Sequence, residues 1–361
     1  MKKIANQQFF TKQLLAWNLS YNDRGMPWKG EKDPYKIWLS EIILQQTRVE
    51  QGLAYYNRFI DRFPTVHKLA KAPETTVFKL WEGLGYYTRC KNLITTAKYI
   101  SKDLKGIFPD DYEGILALKG IGPYTAAAIG SFAFNLPHAV VDGNVFRVLS
   151  RFFGIATPID STTGKKEFTT LANELLDKKQ PGVYNQSLMD FGATVCKPQQ
   201  PLCSTCMLKS NCSAYLQGLV NLLPVKEKSI TKKTRWFYYL IIEQNGAVFV
   251  RKRGAKDIWE NLYEFVLIEN NEVLPLENLK VLKEVKNIFG KTPFEVVKIS
   301  KPYRQLLTHQ TIHGQFISIK VGATLSLSGY EAIKKKELEK LPFPKFITGY
   351  LTDKNVSLNL L

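Results

Sequence analysis

The chain of 361 residues is long enough for two or three domains, each able to bury a core. Its 50 Lys and Arg against 32 Asp and Glu leave a formal charge of +18, which favours polyanionic partners over acidic small proteins. The basic residues are interleaved with 17 Tyr, 6 Trp and 21 Phe, which can stack on or wedge between bases, so nucleic acid ranks above simple solubility as the reason for the charge. No apolar run reaches the length of a bilayer crossing, and Met1–Leu15 lacks the continuous hydrophobic region of a signal peptide. A cytoplasmic protein with no membrane partner is expected. Four of the five cysteines crowd between Cys196 and Cys212, which in a reducing compartment argues for metal ligation and against a disulfide framework.

From Phe9 to Leu219 apolar residues recur at three- and four-residue spacing between short turn signals, so residues 1–223 are predicted to form a helical domain. Residues 224–235, PVKEKSITKKTR, carry five Lys/Arg against one Glu without periodicity and read as an exposed basic linker. Beyond it, WFYYLIIEQ, AVFVRKR, LYEFVLIE, EVVKIS and QFISIKV are strand-like, with a helix expected around Leu276–Phe289. Residues 236–361 therefore read as a smaller α+β domain.

Asp33-Pro34 is a helix start, with Asp as N-cap and Pro at the first helical position. In the helix that follows, Glu41 shares a row with Ile37, Trp38 and Leu44, which sets its carboxyl against apolar surface. Burial raises a carboxyl pKa, as a general acid near neutral pH requires; the competing reading is a surface Glu paired with an Arg. In GLGYYTR, Gly83–Arg89, a Gly-Leu-Gly turn precedes two tyrosines, and Tyr86 or Tyr87 can act as an aromatic wedge in DNA or as core.

Asp110 or Asp111 caps a further helix, with Glu113 placed for a capping box if Asp110 is the cap. Gly120-Ile121-Gly122 then reverses the chain, the glycines allowing backbone angles closed to other residues. Pro123 opens an apolar helix whose free N–H groups and dipole make an anion site. LKGIGPYTA with a helix on each side reads as a helix-hairpin-helix that grips phosphate without reading sequence.

Asp142 precedes the helix VFRVLSR and is either a plain N-cap or a carboxylate kept ionised to stabilise a developing cation, and both can hold at once. Cys196, Cys203, Cys206 and Cys212, spaced C-x6-C-x2-C-x5-C, suit an iron–sulfur cluster or tetrahedral zinc. Cys90 stands apart as a free thiol. His309 and His313 suggest a metal pair but have no third ligand in the pattern.

PYKIWLSEIILQQT, GLGYYTR, LKGIGPYTA with VVDGNVFRV, and the cysteine loop stand in this order. Together they resemble the helix-hairpin-helix DNA glycosylases with an iron–sulfur loop, and most closely the MutY-type adenine DNA glycosylases, densely over residues 24–212 and more weakly beyond. The resemblance implies a mainly α glycosylase core holding a [4Fe–4S] cluster, followed by a smaller α+β, MutT/Nudix-like domain. Where endonuclease III-like relatives carry a strand-cutting lysine, this chain has Tyr124. That implies a monofunctional enzyme but does not name the base, since some thymine-removing relatives also carry Tyr here. The trailing MutT-like module implies adenine opposite 8-oxoguanine or guanine in double-stranded DNA, and a monomer is expected.

By the same resemblance Glu41 is the acid that protonates adenine N7, Asp142 faces the sugar cation, and Tyr124 and Asn144 support them through hydrogen bonds. Trp28, Leu44, Gln186 and, more loosely, Arg24 match residues around the extruded adenine. Gln45 and Tyr86 match residues entering the stack, beside the DNA contacts of Gly120, Gly122 and Pro123. RGAKDIWENLYEF, Arg253–Phe265, resembles part of the MutT-like module, in which Leu307, Thr308 and His309 stand where the family places Phe-Ser-His against 8-oxoguanine. Between Cys196 and Cys203 only Lys197 is basic, fewer cations than such loops carry in relatives. Two other readings are a bifunctional glycosylase/lyase and a non-catalytic DNA-binding protein.

Overall fold

The three- and four-residue apolar spacing of the N-terminal part is realised as helices in the computed structural model, which describes residues 2–227, 231–255 and 257–353. Contacts divide the chain into Met1–Lys71 with Thr95–Ser229, and Ala72–Ile94 with Ile230–Leu361. In chain order the helices up to the cysteine loop are α1 (Lys2–Tyr21), α2 (Pro34–Leu44), α3 (Val49–Arg62), α4 (Val66–Lys71), α5 (Glu74–Trp81) and α6 (Tyr87–Lys102). They continue with α7 (Tyr112–Leu116), α8 (Pro123–Phe134), α9 (Gly143–Phe153), α10 (Thr162–Leu175), α11 (Pro181–Thr194) and α12 (Ser213–Leu216). Of these, α5 and the start of α6 belong to the second unit.

In the first unit Phe10, Leu14 and Trp17 of α1 pack with Val145, Leu149 and Phe152 of α9, Phe168 of α10, and Tyr184, Leu188 and Phe191 of α11. Cys196, Cys206 and Cys212 lie partly buried against the same core, so the cysteine loop is fastened to the helices by apolar contact. Helix α8 is buried continuously from Thr125 to Ser131, as expected of a helix that is apolar all round. Asp33 caps α2 by accepting the Tyr35 N–H at 2.9 Å.

Asp111, not Asp110, caps α7, accepting the Gly114 N–H at 2.8 Å, so the capping box that required Asp110 is not made. In the hairpin only Gly120, at φ +83°, needs a glycine's freedom. Gly122 is the extended N-cap of α8 at φ −101°, which any residue adopts, and a Cβ there would meet nothing within 4 Å. What Gly122 supplies is therefore a bare backbone surface that a ligand can approach closely.

The second unit is built on one mixed sheet of β1 (Lys233–Gln244), β2 (Ala247–Lys252), β3 (Tyr263–Asn270), β4 (Phe294–Ile299), β5 (Tyr303–Leu306), β6 (Gln310–Val321) and β7 (Glu331–Lys334). The order is β4-β6-β1-β3-β2-β7, with β5 also on β6, and β1 runs parallel to β6. On one face Tyr238, Leu240 and Ile242 pack with Ile317, Ile319 and the Val285 and Phe289 side chains of α13 (Lys283–Phe289). On the other, Phe237 and Tyr239 meet Phe316, Trp259 and Phe346 of α14 (Lys345–Leu351), and Phe316 stacks on Tyr350 at 4.0 Å. Both faces are covered, which is why WFYYLIIEQ reads as an unbroken apolar run without alternation.

The helix expected over Leu276–Phe289 is a 3-10 turn, Leu276–Val281, followed by α13. Short β5 and β7, and α14, are additions to the sequence reading. The basic stretch 224–235 runs into β1 at Lys233, and Arg235 is buried rather than exposed, bound bidentately by Asp257 at 2.8 and 2.9 Å and by Glu269 at 2.6 and 2.7 Å. Elsewhere in the stretch Lys226, Glu227 and Thr231–Thr234 are exposed as expected, and Pro224 and Val225 are half-buried. Residues 228–230, like 354–361 at the end of the C-terminal domain, lie outside the described residues.

Candidate active site

Eight of the eleven residues of α2 are buried, and Glu41 among them is 6% exposed. Its Oε2 accepts a hydrogen bond from the Tyr124 hydroxyl at 2.7 Å, so the partner is a phenol and not the arginine of the competing reading. Burial pushes the Glu41 pKa up to about 7; the Tyr124 bond opposes the rise and the Asp142 charge adds to it. Tyr124, in the first turn of α8, is itself held well above its ordinary pKa by burial and by these two carboxyl groups, so it stays a donor.

Asp142 is the N-cap of α9, its Oδ1 accepting the Val145 N–H at 2.8 Å and its Oδ2 the Asn144 side-chain amide at 2.7 Å. Burial raises its pKa against the pull of those bonds and of Arg147. The expectation of a carboxylate kept ionised thus meets two opposing effects, with burial the larger. Glu41, Tyr124, Asp142 and Asn144 line one cavity of about 400 Å³ together with Arg24, Trp28, Leu44, Gln45 and Gln186. Residues scattered from 24 to 186 converge there, in a space of the size that small-ligand sites use.

Trp28 is 8% exposed and set edge-on against Tyr56 at 5.2 Å. Gln45 donates to the Thr125 hydroxyl at 3.3 Å. Two groups that the sequence reading passed over organise the site. Asp190, fully buried, binds Arg24 at 2.8 Å and Gln186 at 3.0 Å; the signal available was its i,i+4 spacing from Gln186 on α11. Arg147 donates to Asn144 Oδ1 at 2.8 Å, to the Gly192 carbonyl at 2.7 Å and to the Cys196 carbonyl at 2.7 Å, joining the residue beside Asp142 to the start of the cysteine loop.

Arg151, one turn further along α9, donates to the Lys197 carbonyl at 2.7 Å and to the Cys196 sulfur at 3.5 Å. The Cys206 thiol is pushed up to about 11 by burial and then by the proximity of Cys196, Cys212 and Cys203. Four thiols near enough to influence one another's charge, with the Arg151 guanidinium beside Cys196, match by residue type the donor set of a soft metal group, zinc or iron–sulfur alike. Among the described residues no three His, Cys, Asp or Glu are gathered as ligands of a single ion. Cys90 is fully buried and apart from them.

The second unit holds a separate group. Gly83 and Gly85 take φ of +94° and +74°, and Tyr86 follows at φ +47°, 43% exposed. The Tyr86 hydroxyl is hydrogen-bonded to the Thr308 hydroxyl. Leu307, Thr308 and His309 form the tip of the β5–β6 hairpin, closed by the Leu307 N–H donating to the Gln310 carbonyl at 2.8 Å. Tyr86, Thr308 and His309 line a cavity of about 390 Å³ with the turn Asp257–Asn261. In that turn Trp259 and Asn261 stand at φ of +63° and +70°, the first an uncommon conformation for a bulky residue, and Arg235 and Arg253 both bind Asp257 at the start of the turn. His313 stacks on Trp236 at 4.7 Å.

Residues 39–176 match the family of HhH-GPD superfamily base excision DNA repair proteins, and residues 237–353 match the NUDIX domain. An adenine DNA glycosylase of Buchnera aphidicola subsp. Baizongia pistaciae is 36% identical over 289 residues, 77% of this chain and 82% of the relative. The adenine DNA glycosylase of Homo sapiens is 39% identical over 222 residues, 59% of this chain and 40% of the relative. Among solved structures, a thermostable thymine-DNA glycosylase is similar at TM-score 0.56 and 29% identity, over 60% of this chain and 100% of the other. An endonuclease III in a non-covalent DNA complex, at TM-score 0.51 and 20% identity, shares the fold over 59% of this chain and 98% of the other.

Proposed function

The chain belongs to the adenine DNA glycosylase family, and from that premise we propose that it removes adenine mispaired with 8-oxoguanine, or with guanine, by hydrolysing the N-glycosidic bond in duplex DNA. The observation that carries this reading is Glu41, buried, bonded to Tyr124 and raised to about pKa 7 in a cavity shared with Asp142. At neutral pH about half of such a group is protonated, so it can serve as acid and then as base.

The extruded adenine, whose flipping costs a few kcal/mol that a mispair lowers, enters the cavity beside Trp28 and Leu44. Glu41 donates its proton to adenine N7. The C1′–N9 bond then breaks with its electron pair going to the base, and the sugar is left as an oxocarbenium ion. Asp142 stabilises that cation, as paired carboxyl groups do in sugar hydrolysis, and Asn144 keeps its orientation. Glu41, now ionised, takes a proton from the water that adds to C1′. With Tyr124 where an amine nucleophile would stand, the product is an intact strand carrying an abasic site.

Gly120, Gly122 and Pro123 would bind the DNA backbone through the bare hairpin surface and the α8 N-terminus, with Gln45 and Tyr86 entering the stack. Leu307, Thr308 and His309 would face 8-oxoguanine. Cys196, Cys203, Cys206 and Cys212 would hold a [4Fe–4S] cluster, and its four thiolate ligands would cross-link the loop. Arg147 and Arg151 hold the backbone carbonyls of Cys196 and Lys197 at the start of that loop.

Single-turnover excision over duplexes with adenine opposite 8-oxoguanine or guanine, thymine opposite guanine, and an oxidised pyrimidine tests the reading. Adenine release with strand scission only after alkali is expected. Scission without alkali, or preferred release of another base, refutes it.

A further inference from the structure

Asp190 of α11 is fully buried and serves four side-chain donors. Its Oδ1 accepts from Arg24 at 2.8 Å and from Gln186 Nε2 at 3.0 Å; its Oδ2 accepts from Asn22 at 3.0 Å and pairs with the Lys29 ammonium at 3.2 Å. Lys29 also donates to the Arg24 carbonyl at 2.9 Å, so the segment 22–29 is tied to α11 through this carboxylate. Both Arg24 and Gln186 line the cavity that contains Glu41.

A carboxylate flanked by two cations only accepts hydrogen bonds, so the amide of Gln186 must turn its NH2 towards it. The orientation of that amide is therefore imposed by chemistry. Its carbonyl oxygen, Oε1, is left as the polar atom the side chain can offer to the cavity.

We propose that Asp190 is a specificity-determining positioning residue: by fixing Gln186 as a hydrogen-bond acceptor, it makes the pocket select a base with an exocyclic amino group and reject one with an oxo group at the same position. This rests on the reading of the chain as an adenine glycosylase. Adenine carries a donor at N6, whereas hypoxanthine presents an oxygen acceptor there, which Oε1 opposes. A site built around a hydrogen bond rejects the analogue that leaves a buried polar group unpaired.

The test compares single-turnover release of adenine, purine (no 6-substituent) and hypoxanthine, each opposite 8-oxoguanine, by the full chain and by the variants Asp190→Asn, Gln186→Met and the pair combined. Asparagine sets an NH2 against donors, which frees the Gln186 amide to turn. The expected result is a fall of about tenfold in the adenine-to-purine rate ratio, the worth of one neutral hydrogen bond, with hypoxanthine gaining on adenine. Gln186→Met should lower the ratio as far, and the double variant no further, because both act through one contact. Equal loss on adenine and purine in Asp190→Asn marks a merely structural residue and overturns the proposal. If Asp190→Asn does not fold, Gln186→Met decides: an unchanged ratio overturns the proposal and a lowered one upholds it. A wild-type chain that releases no adenine overturns the functional reading and this inference with it, whereas wild-type release with an unchanged ratio in the variants overturns the inference alone.

Discussion

Glu41 is 6% exposed on a helix with nearly every face covered, whereas Tyr86 is 43% exposed on a turn and Leu307–His309 cap a hairpin. The first group is joined by hydrogen bonds running from Tyr124 to Glu41 and from Asn144 to Asp142, and its pKa values are displaced. In the second, the hydroxyls of Tyr86 and Thr308 are hydrogen-bonded to each other, on backbone that the glycines allow to bend. Moving a proton at neutral pH requires a carboxyl out of water, and that requires rigid, apolar surroundings. Inspecting a base that stays in a duplex requires the opposite, side chains that reach out of the protein. The comparison predicts that substitutions in the first region change rate and pH dependence, and those in the second change preference.

The largest effect is expected from Glu41→Gln. Glutamine keeps an acceptor for Tyr124 but carries no proton to give, and single-turnover adenine release should fall by about 10²- to 10⁴-fold, the contribution of a general acid. Binding to an adenine:8-oxoguanine duplex should remain. Asp142→Asn should lose activity on a similar scale without unfolding, since asparagine is also a good N-cap. A normal rate in that variant would leave Asp142 as a cap and nothing more.

Stability should move the other way. The Glu41 pKa is raised from 4.5 to about 7, so its folded-state contribution is fully present below about 4.5 and is lost as pH rises through about 7. Above that, the buried charge costs on the order of 3 kcal/mol. Glu41→Gln removes this cost, and urea midpoints should show the variant gaining on the wild type between pH 5 and pH 8 and little below pH 4.5. An equal shift at every pH would mean that burial of the charge is not what displaces the pKa.

Tyr124→Phe acts more gently. It deletes the bond that opposes the rise in the Glu41 pKa, so the alkaline limb of the rate profile should move to higher pH, with a loss of about tenfold or less at the optimum. An unmoved limb would sever Glu41 from the pH dependence.

The two regions were unequally legible in the sequence. Glu41 was visible because helical spacing placed it among apolar residues, and the hairpin because glycines and a proline punctuate it. Local pattern also gave Asp142 its cap. Asp190 and Arg147 were not visible, because a charged residue inside a helix reads as solvated until its distant partners are known; Asp190 meets Arg24 across 166 positions. The same limit hid Arg235, which sits in a run of lysines yet is buried between Asp257 and Glu269. Short β5 and β7 carry few apolar residues, and only pairing with β6 and β2 makes them strands. Leu307–His309 could be located only by resemblance, since a hairpin tip has no periodicity to read.

That tip offers the smallest effect and the clearest separation of the two regions. Thr308→Ala removes the hydroxyl that holds Tyr86 and should lower the preference for adenine opposite 8-oxoguanine over adenine opposite guanine by about threefold to tenfold, as befits one neutral hydrogen bond near solvent. Leu307→Phe should raise it, because an aromatic face can stack on a base where an aliphatic side chain cannot. Neither change touches the surroundings of Glu41 or Asp142, so the pH profile on each duplex should stay as it is. A tip variant that displaced that profile would mean that inspection of the opposite base and protonation of the departing one are a single coupled event, and the contrast between a dry chemical site and an exposed reading site would fail.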